Sequence, residues 1–261
     1  MSDLFYSSIV RRKSSAIWTP DTPGAPERWR NVVAGRLYQD TGKTTPATNP
    51  GDPVACLVAM YGSDHVQSSL TLRPYLTTIG TGRLALRSDN VDDTIGNNDA
   101  LSLGAKTYGI LFRIYSAPGS TAAETIARVG FYPPGQLIVR HSGLSSTSAK
   151  GWHVACDRVS GSQPCIQGPS PALLSNAVHT LVIRYDGVAA ATASSYRIWL
   201  DGVEQTATTG GNVAASGFGR WLATSVPAEV CDVAVAEDVL WTSALSESDC
   251  LSLVSYLEAQ R

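Results

Sequence analysis

The sequence predicts an all-β fold, a two-sheet antiparallel sandwich with one short C-terminal helix. Three observations predict it. Short runs of alternating apolar and polar residues recur along the chain. Gly, Asp, Asn and Pro turns separate them about every 8–12 residues, the rhythm of sandwich folds. Only the C-terminal tail has helical spacing.

Residues 1–36 read as an extended N-terminal arm or strap. IWTPDTPGAPERWR carries three prolines, and Trp18 and Trp29 near its ends. Proline holds such a stretch extended and removes donors. Two roles stay open: a strap over its own domain, or an arm that grips a neighbouring subunit. Arg11, Arg12 and Lys13 are the one basic cluster. They read as a solvated turn or as part of that arm, docked on an acidic neighbour.

LYQDTGKTTPATNPGDPVACLVAMYG, residues 37–62, is rich in Thr, Pro, Gly, Asp and Asn up to Pro53 and then turns apolar at Val54. It is either a linker or an ordered leader, 37–74, of a single domain spanning 37–261. Beyond it LALRSDNVDDTIG, ALSLG, TYGILFRIYS, ETIARVGFY and QLIVRHS look like successive strands. In HTLVIRYDG, Leu181, Ile183 and Tyr185 share one face. Tyr196, Ile198 and Leu200 do so in SYRIWLDGVEQTA. Asp201-Gly202 between two strand-like runs is a strong hairpin signal. EVCDVAVAEDVLW is a further strand. Simple alternation puts Glu237 on the face of Val233 and Val235. In the tail, Ser246 followed three residues later by Asp249 resembles a capping box with Asp in place of Glu. Leu251, Val254 and Leu257 follow at helical spacing, so a helix is expected over roughly 246–260, packed on the sheet edge.

Composition narrows the function classes. The chain has 261 residues, 43% hydrophobic, with a net charge of −2. A nucleic-acid partner would need a dense basic face, which is missing. No run reaches the roughly 18 apolar residues of a membrane span. The charges of MSDLFYSSIVRRKSS follow its short apolar patch, whereas a secretory signal has them before a longer one. Synthesis and retention in a cytoplasm, or release by lysis, is expected. Charged residues are only 16%, which fits a β-rich chain and also a part of a large assembly. The cysteine count is odd, at five. Cys56, Cys231 and Cys250 read as small buried hydrophobes. Cys156 and Cys165 flank a turn-rich loop and are placed to form a disulfide, although a cytosolic product favours free thiols.

The order of pieces resembles a laminin-G-like, concanavalin A-like jelly roll over roughly residues 75–261. The paired strands HTLVIRYDG and SYRIWLDGVE, the Asp-rich LALRSDNVDDTIGNNDALSLG, and the closing VAVAEDVLWTSALSESDCLSLVSYLEAQ carry it. LYQDTGKTTPATNPGDPVACLV with QSSLTLRPYL resembles the leader ahead of such domains in bacteriophage and prophage virion proteins. The resemblance implies an ordered leader and a virion protein made in the host cytoplasm. It would assemble with other capsid or tail proteins, as a homo-oligomer by likeness to tail and fibre proteins. Where those relatives carry a D-x-S-G-N-G-type turn this chain has MYGSDHVQSS, so no ion or ligand role is carried over for that turn.

The motifs for catalysis are absent, and no enzyme is expected. Glu229 and Asp232 differ by three positions and face opposite ways on one strand. That arrangement does not make the close carboxylate pair of a retaining glycosidase. There is no G-x-S-x-G elbow, and His65, His141, His153 and His179 are scattered. GTGRL at 80–84 and GFGRW at 217–221 lack the strand-glycine-helix context of a phosphate loop. No zinc spacing occurs. Calcium would draw on Asp89, Asn90, Asp92 and Asp93, but turns also favour these residues, so no cofactor is expected. A glycan-binding module for bacterial surface polysaccharide is the alternative to a purely structural role. Its candidates are an aromatic beside polar groups in three loops: Trp152, His153 and Asp157; Arg220 and Trp221; and Phe131 and Tyr132.

Overall fold

A computed structural model of the chain describes residues 18–88, 93, 95–96, 101–115, 123–129, 137–142, 151–155, 162–167, 176–188, 192–214, 220–222 and 232–261. The strands of the first part are β1 (Arg28–Asn31), β2 (Leu37–Tyr38), β3 (Cys56–Leu57), β4 (His65–Val66), β5 (Tyr75–Ile79), β6 (Arg83–Arg87), β7 (Ile95–Gly96) and β8 (Lys106–Ile114). Then come β9 (Ala123–Val129), β10 (Leu137–Ser142), β11 (Gly151–Ala155), β12 (Ser162–Gln167) and β13 (Val178–Tyr185). The last are β14 (Tyr196–Leu200), β15 (Val203–Gln205), β16 (Thr208–Ala214), β17 (Arg220–Leu222) and β18 (Val233–Trp241), followed by helix α1 (Glu247–Glu258). The fold is an all-β antiparallel sandwich with a short C-terminal helix.

One layer is an eight-stranded sheet in the order β15-β14-β13-β8-β18-β6-β5, with β1 also paired to β18. Facing it are two five-stranded sheets, β16-β12-β11-β10-β9 and β17-β7-β4-β3-β2. They abut where β17 runs beside β9. Residues 101–104, expected as a strand, are irregular, with Gly104 at φ 108°.

The predicted hairpin forms. Leu181, Ile183 and Tyr185 pair with Leu200, Ile198 and Tyr196. All six belong to or pack against the main core, and the rings of Tyr185 and Tyr196 stack at 4.9 Å. Asp201 (φ 50°) and Gly202 (φ 78°) make the left-handed turn into β15, which suits the twist of a two-residue hairpin.

The leader is held by its own side chains. The Asp40 carboxylate accepts from the backbone N–H of Thr44 (3.1 Å) and Thr45 (2.6 Å). Asp52 does the same for Thr48 (2.8 Å) and Asn49 (2.9 Å). These amide donors, Thr44's for Asp40 and Asn49's for Asp52, hold both carboxyls below their ordinary range. These side-chain-to-backbone bonds fix a Thr/Pro/Gly segment without regular structure. They let Leu37, Val54 and Leu57 enter the main core.

The described part of the arm lies on its own domain. Residues Arg28–Asn31 pair antiparallel with Glu237–Leu240, and the Trp241 indole donates to the Gly24 carbonyl at 3.0 Å. Helix α1 begins as predicted. Ser246 Oγ accepts from Asp249 N (3.1 Å) and donates to Asp249 Oδ2 (2.6 Å). Its position differs from the expected sheet edge. The helix packs over β13 and β8, in the middle of the large sheet. Gly109 on β8 explains this: a side chain there would begin 3.0 Å from Leu253 Cδ2 and 3.1 Å from Leu257 Cδ1. The bare backbone makes the hollow into which the two leucines fit.

β18 departs from simple alternation. Against β8 its register shifts between Val235 and Glu237, leaving Ala236 as an extra residue. A bulge of this kind flips every later side chain to the other face. Glu237 therefore lies on the helix side with Ala234 and Ala236, not with Val233 and Val235. Asp238 takes the inner face instead.

Candidate functional site

Strand register places a polar row across one face of β16-β12-β11-β10-β9. Val139 on β10 and Val154 on β11 are register partners, both fully buried in the main core. The residues beside them, Arg140 and His153, pair with each other and by the two-residue period fall on the opposite face. Arg140 also faces Thr125 on β9. His153 faces Gln167 on β12, and Gln167 faces Thr208 on β16. Thr208 is exposed. Thr125, Arg140, His153, Gln167 and Thr208 thus form one register row over five strands. Thr, Arg, His and Gln are residue types that offer both donors and acceptors, the inventory that sugar hydroxyls require.

The sequence candidates distribute unevenly around this row. Trp152 and His153 are on strand β11, not in a loop. They are adjacent on it, so they fall on opposite faces. Trp152 sits in register with His141. Arg220 and Trp221 are on strand β17, where Arg220 faces Gly96. Phe131, Tyr132 and Asp157 lie outside the described residues, as do Arg11, Arg12, Lys13, Cys156 and Cys231. Of the calcium set only Asp93 is described, and it is buried; Asp89, Asn90 and Asp92 lie outside. Among the described residues no group of three or more His, Cys, Asp or Glu could hold a metal ion, and no helix is long and apolar enough to cross a membrane. Cys56 and Cys250 are buried free thiols. Sequence reasoning passed over Arg140 and Gln167. The alternation in QLIVRHS, with Leu137 and Val139 apolar and Arg140 between Val139 and His141, is the signal that marks Arg140.

The arm tryptophans have defined partners. Trp18 meets Tyr256 with ring centroids 5.9 Å apart. Trp29 stacks on Tyr61 at 6.2 Å, and its indole donates to Glu237 Oε1 at 2.7 Å.

Two buried polar groups back the sheets. On the inner face Arg30 engages Asp238 with two nitrogens, one bond being Nε to Oδ1 at 2.5 Å. Tyr108 donates to Asp238 Oδ2 at 3.0 Å, and Arg30 Nη1 meets His65 Nε2. Burial first, then Arg30, drives the His65 imidazole well below its ordinary range. The ring is therefore neutral, and its Nε2 accepts from the guanidinium. On the helix side Glu237 accepts from Trp29, Tyr256 (2.8 Å) and Arg83 (3.0 Å). Burial raises both carboxyls above their ordinary range, against the pull of these partners. With no room for a substrate beside fully buried Asp238 and Glu237, this constellation supports structure. His179 is likewise engaged, its Nδ1 lying 2.8 Å from Asp201 Oδ2. Asp232, considered above as a carboxylate partner of Glu229, pairs with Arg87 at 2.8 Å.

No family model and no curated protein matches the chain. Several solved structures are similar to the chain. An arabinofuranosidase complexed with arabinofuranosyl-α-1,2-xylobiose superposes with a TM-score of 0.52 at 10% identity, over 90% of this chain and 62% of that one. Domain 4 of a GH43 extracellular arabinanase from Geobacillus stearothermophilus, in complex with arabinotriose, gives 0.44 at 14% identity, over 87% of this chain and 100% of that one. The Trypanosoma rangeli sialidase bound to the inhibitor DANA gives 0.43 at 11% identity over 87% of this chain, which spans only 32% of the sialidase's length. At these identities the likeness is one of fold alone, an all-β antiparallel sandwich.

Proposed function

We propose that the chain is a non-enzymatic part of a bacteriophage particle (head decoration, tail or fibre-associated) that also attaches to bacterial surface polysaccharide. The row Thr125–Arg140–His153–Gln167–Thr208 carries the binding part of this reading. Register joins these five residues across five strands, and their types include both donors and acceptors for sugar hydroxyls. The leader's resemblance to those of virion proteins supports the particle part. In this reading the chain is a homo-oligomer among other capsid or tail proteins, made in the host cytoplasm, and needs no cofactor.

Binding of the full chain to an array of bacterial surface polysaccharides tests it. The expected result is selective binding that falls at least about tenfold in an Arg140→Ala, His153→Ala double variant of unchanged melting temperature, since lost hydrogen bonds to a polar ligand weigh this much. A chelator is expected to leave binding unchanged. Equal binding by the double variant would remove the row from the function. Hydrolysis of a bound polysaccharide would overturn the non-enzymatic reading.

A further inference from the structure

A second polar group lies on the other sheet. The outer face of the large sheet, past the ground covered by α1, carries the row Tyr75, Arg87, Ala234, Arg113, set by the pairings of β5, β6, β18 and β8. Tyr115, two residues after Arg113, packs on the same face. The Arg87 guanidinium carbon lies 3.7 Å from the Tyr115 ring centroid and 5.8 Å from that of Tyr75. The Arg113 guanidinium carbon lies 4.7 Å from Tyr115. Two cations thus share one aromatic ring.

Their partners differ. Arg87 spends Nε and Nη2 on Asp232, at 2.8 and 2.9 Å. Arg113 bonds no carboxylate among the described residues, and its Nε is buried without a hydrogen-bond partner. A buried donor left unmade lowers stability. Guanidinium forks are shaped for two-oxygen acceptors. Both arginines remain partly exposed, so a ligand can reach them.

We propose that Arg113, flanked by Arg87 and floored by Tyr115, is a binding site for an oxyanion, the carboxylate or phosphate group of an acidic glycan. Its residues are all on the large sheet, so it goes beyond the row on the smaller sheet and stands or falls without it. The oxyanion accepts from the two terminal nitrogens of Arg113 in a fork, while Tyr115 holds the guanidinium plane. Asp232 keeps Arg87 in place and leaves Arg113 as the open position.

The test follows the arginine Nε–H signals of the full 15N-labelled chain by NMR at constant ionic strength. Glucuronate, inorganic phosphate and neutral glucose are titrated separately. A saturable shift of the Arg113 Nε–H signal and the Tyr115 amide is expected with glucuronate, phosphate or both, and none with glucose. Response to glucuronate alone assigns the site to sugar acids, and response to phosphate alone to phosphate-bearing glycans. In Arg113→Gln the Tyr115 shift should vanish. In Arg113→Lys, which keeps the charge without the fork, it should weaken several-fold, which separates recognition from a folding defect. The proposal is overturned if Arg113 shifts no more than with chloride, or if a folded Arg113→Gln still titrates at Tyr115.

Discussion

Glu237 and Asp238 are consecutive, acidic and fully buried, yet they serve opposite layers of the molecule. Asp238 faces inward and is locked by an arginine fork and a tyrosine hydroxyl. Glu237 faces the helix and is held by an indole, a phenol and the largely buried Arg83. The difference shows what one extra residue in a strand accomplishes. Without the bulge at Ala236 the two carboxylates would exchange faces, Glu237 pointing inward and Asp238 toward the helix. Two rigid joints result: the inner one ties the arm to the core, and the outer one ties arm, sheet and helix together.

Removing the fork should have the largest effect. Arg30→Ala leaves Asp238 buried and unpaired and is expected to cost about 3–5 kcal/mol, read by chemical denaturation. An Arg30→Met, Asp238→Leu double variant should cost less than Arg30→Ala, because it leaves no lone buried charge. A double variant that costs more would show that the pair itself favours the fold.

Glu237→Gln sharpens the comparison through pH. Burial raises the folded Glu237 carboxyl above its ordinary value of 4.5. Its contribution is therefore fully present below about pH 4.5 and is lost as pH rises through the folded value. Gln does not titrate, so the cost of the substitution should shrink between pH 4 and pH 7. A cost that grows with pH would mean that Trp29, Tyr256 and Arg83 outweigh the burial. At fixed pH, Tyr256→Phe deletes one of Glu237's three donors and should cost about 0.5–1.5 kcal/mol. The smallest effect belongs to the surface: Arg197 bridges exposed Glu204 and Glu247 at 2.8 and 2.7 Å, and Arg197→Ala should leave the melting temperature unchanged, since solvent screens such pairs.

The β13–β14 hairpin and the entry to α1 were legible because both are local. Alternation, an Asp-Gly turn and a Ser-x-x-Asp cap act over a few residues, and the chain obeys them. The helix's resting place was not legible, because Gly109 reads as an ordinary glycine until two leucines from the far end of the chain fill the space above it. The candidate site was half legible. His153 stood out as a polar residue beside Trp152, but its row-mates Thr125, Arg140, Gln167 and Thr208 come from four other strands and meet only through register. The reading of Trp152 and His153 as loop neighbours failed because an aromatic in an alternating strand is separated from the next residue by the sheet itself.

The antiparallel all-β class, the turns, the helix and its cap were readable from contiguous residues, since each follows from their period and chemistry. Tertiary structure alone decided which sheet each strand joins, the faces of Glu237 and Asp238, and the gathering of polar rows on two separate faces. Those outcomes depend on strand register and on one bulged residue, which shift the face of a side chain without changing the local pattern that sequence reasoning reads.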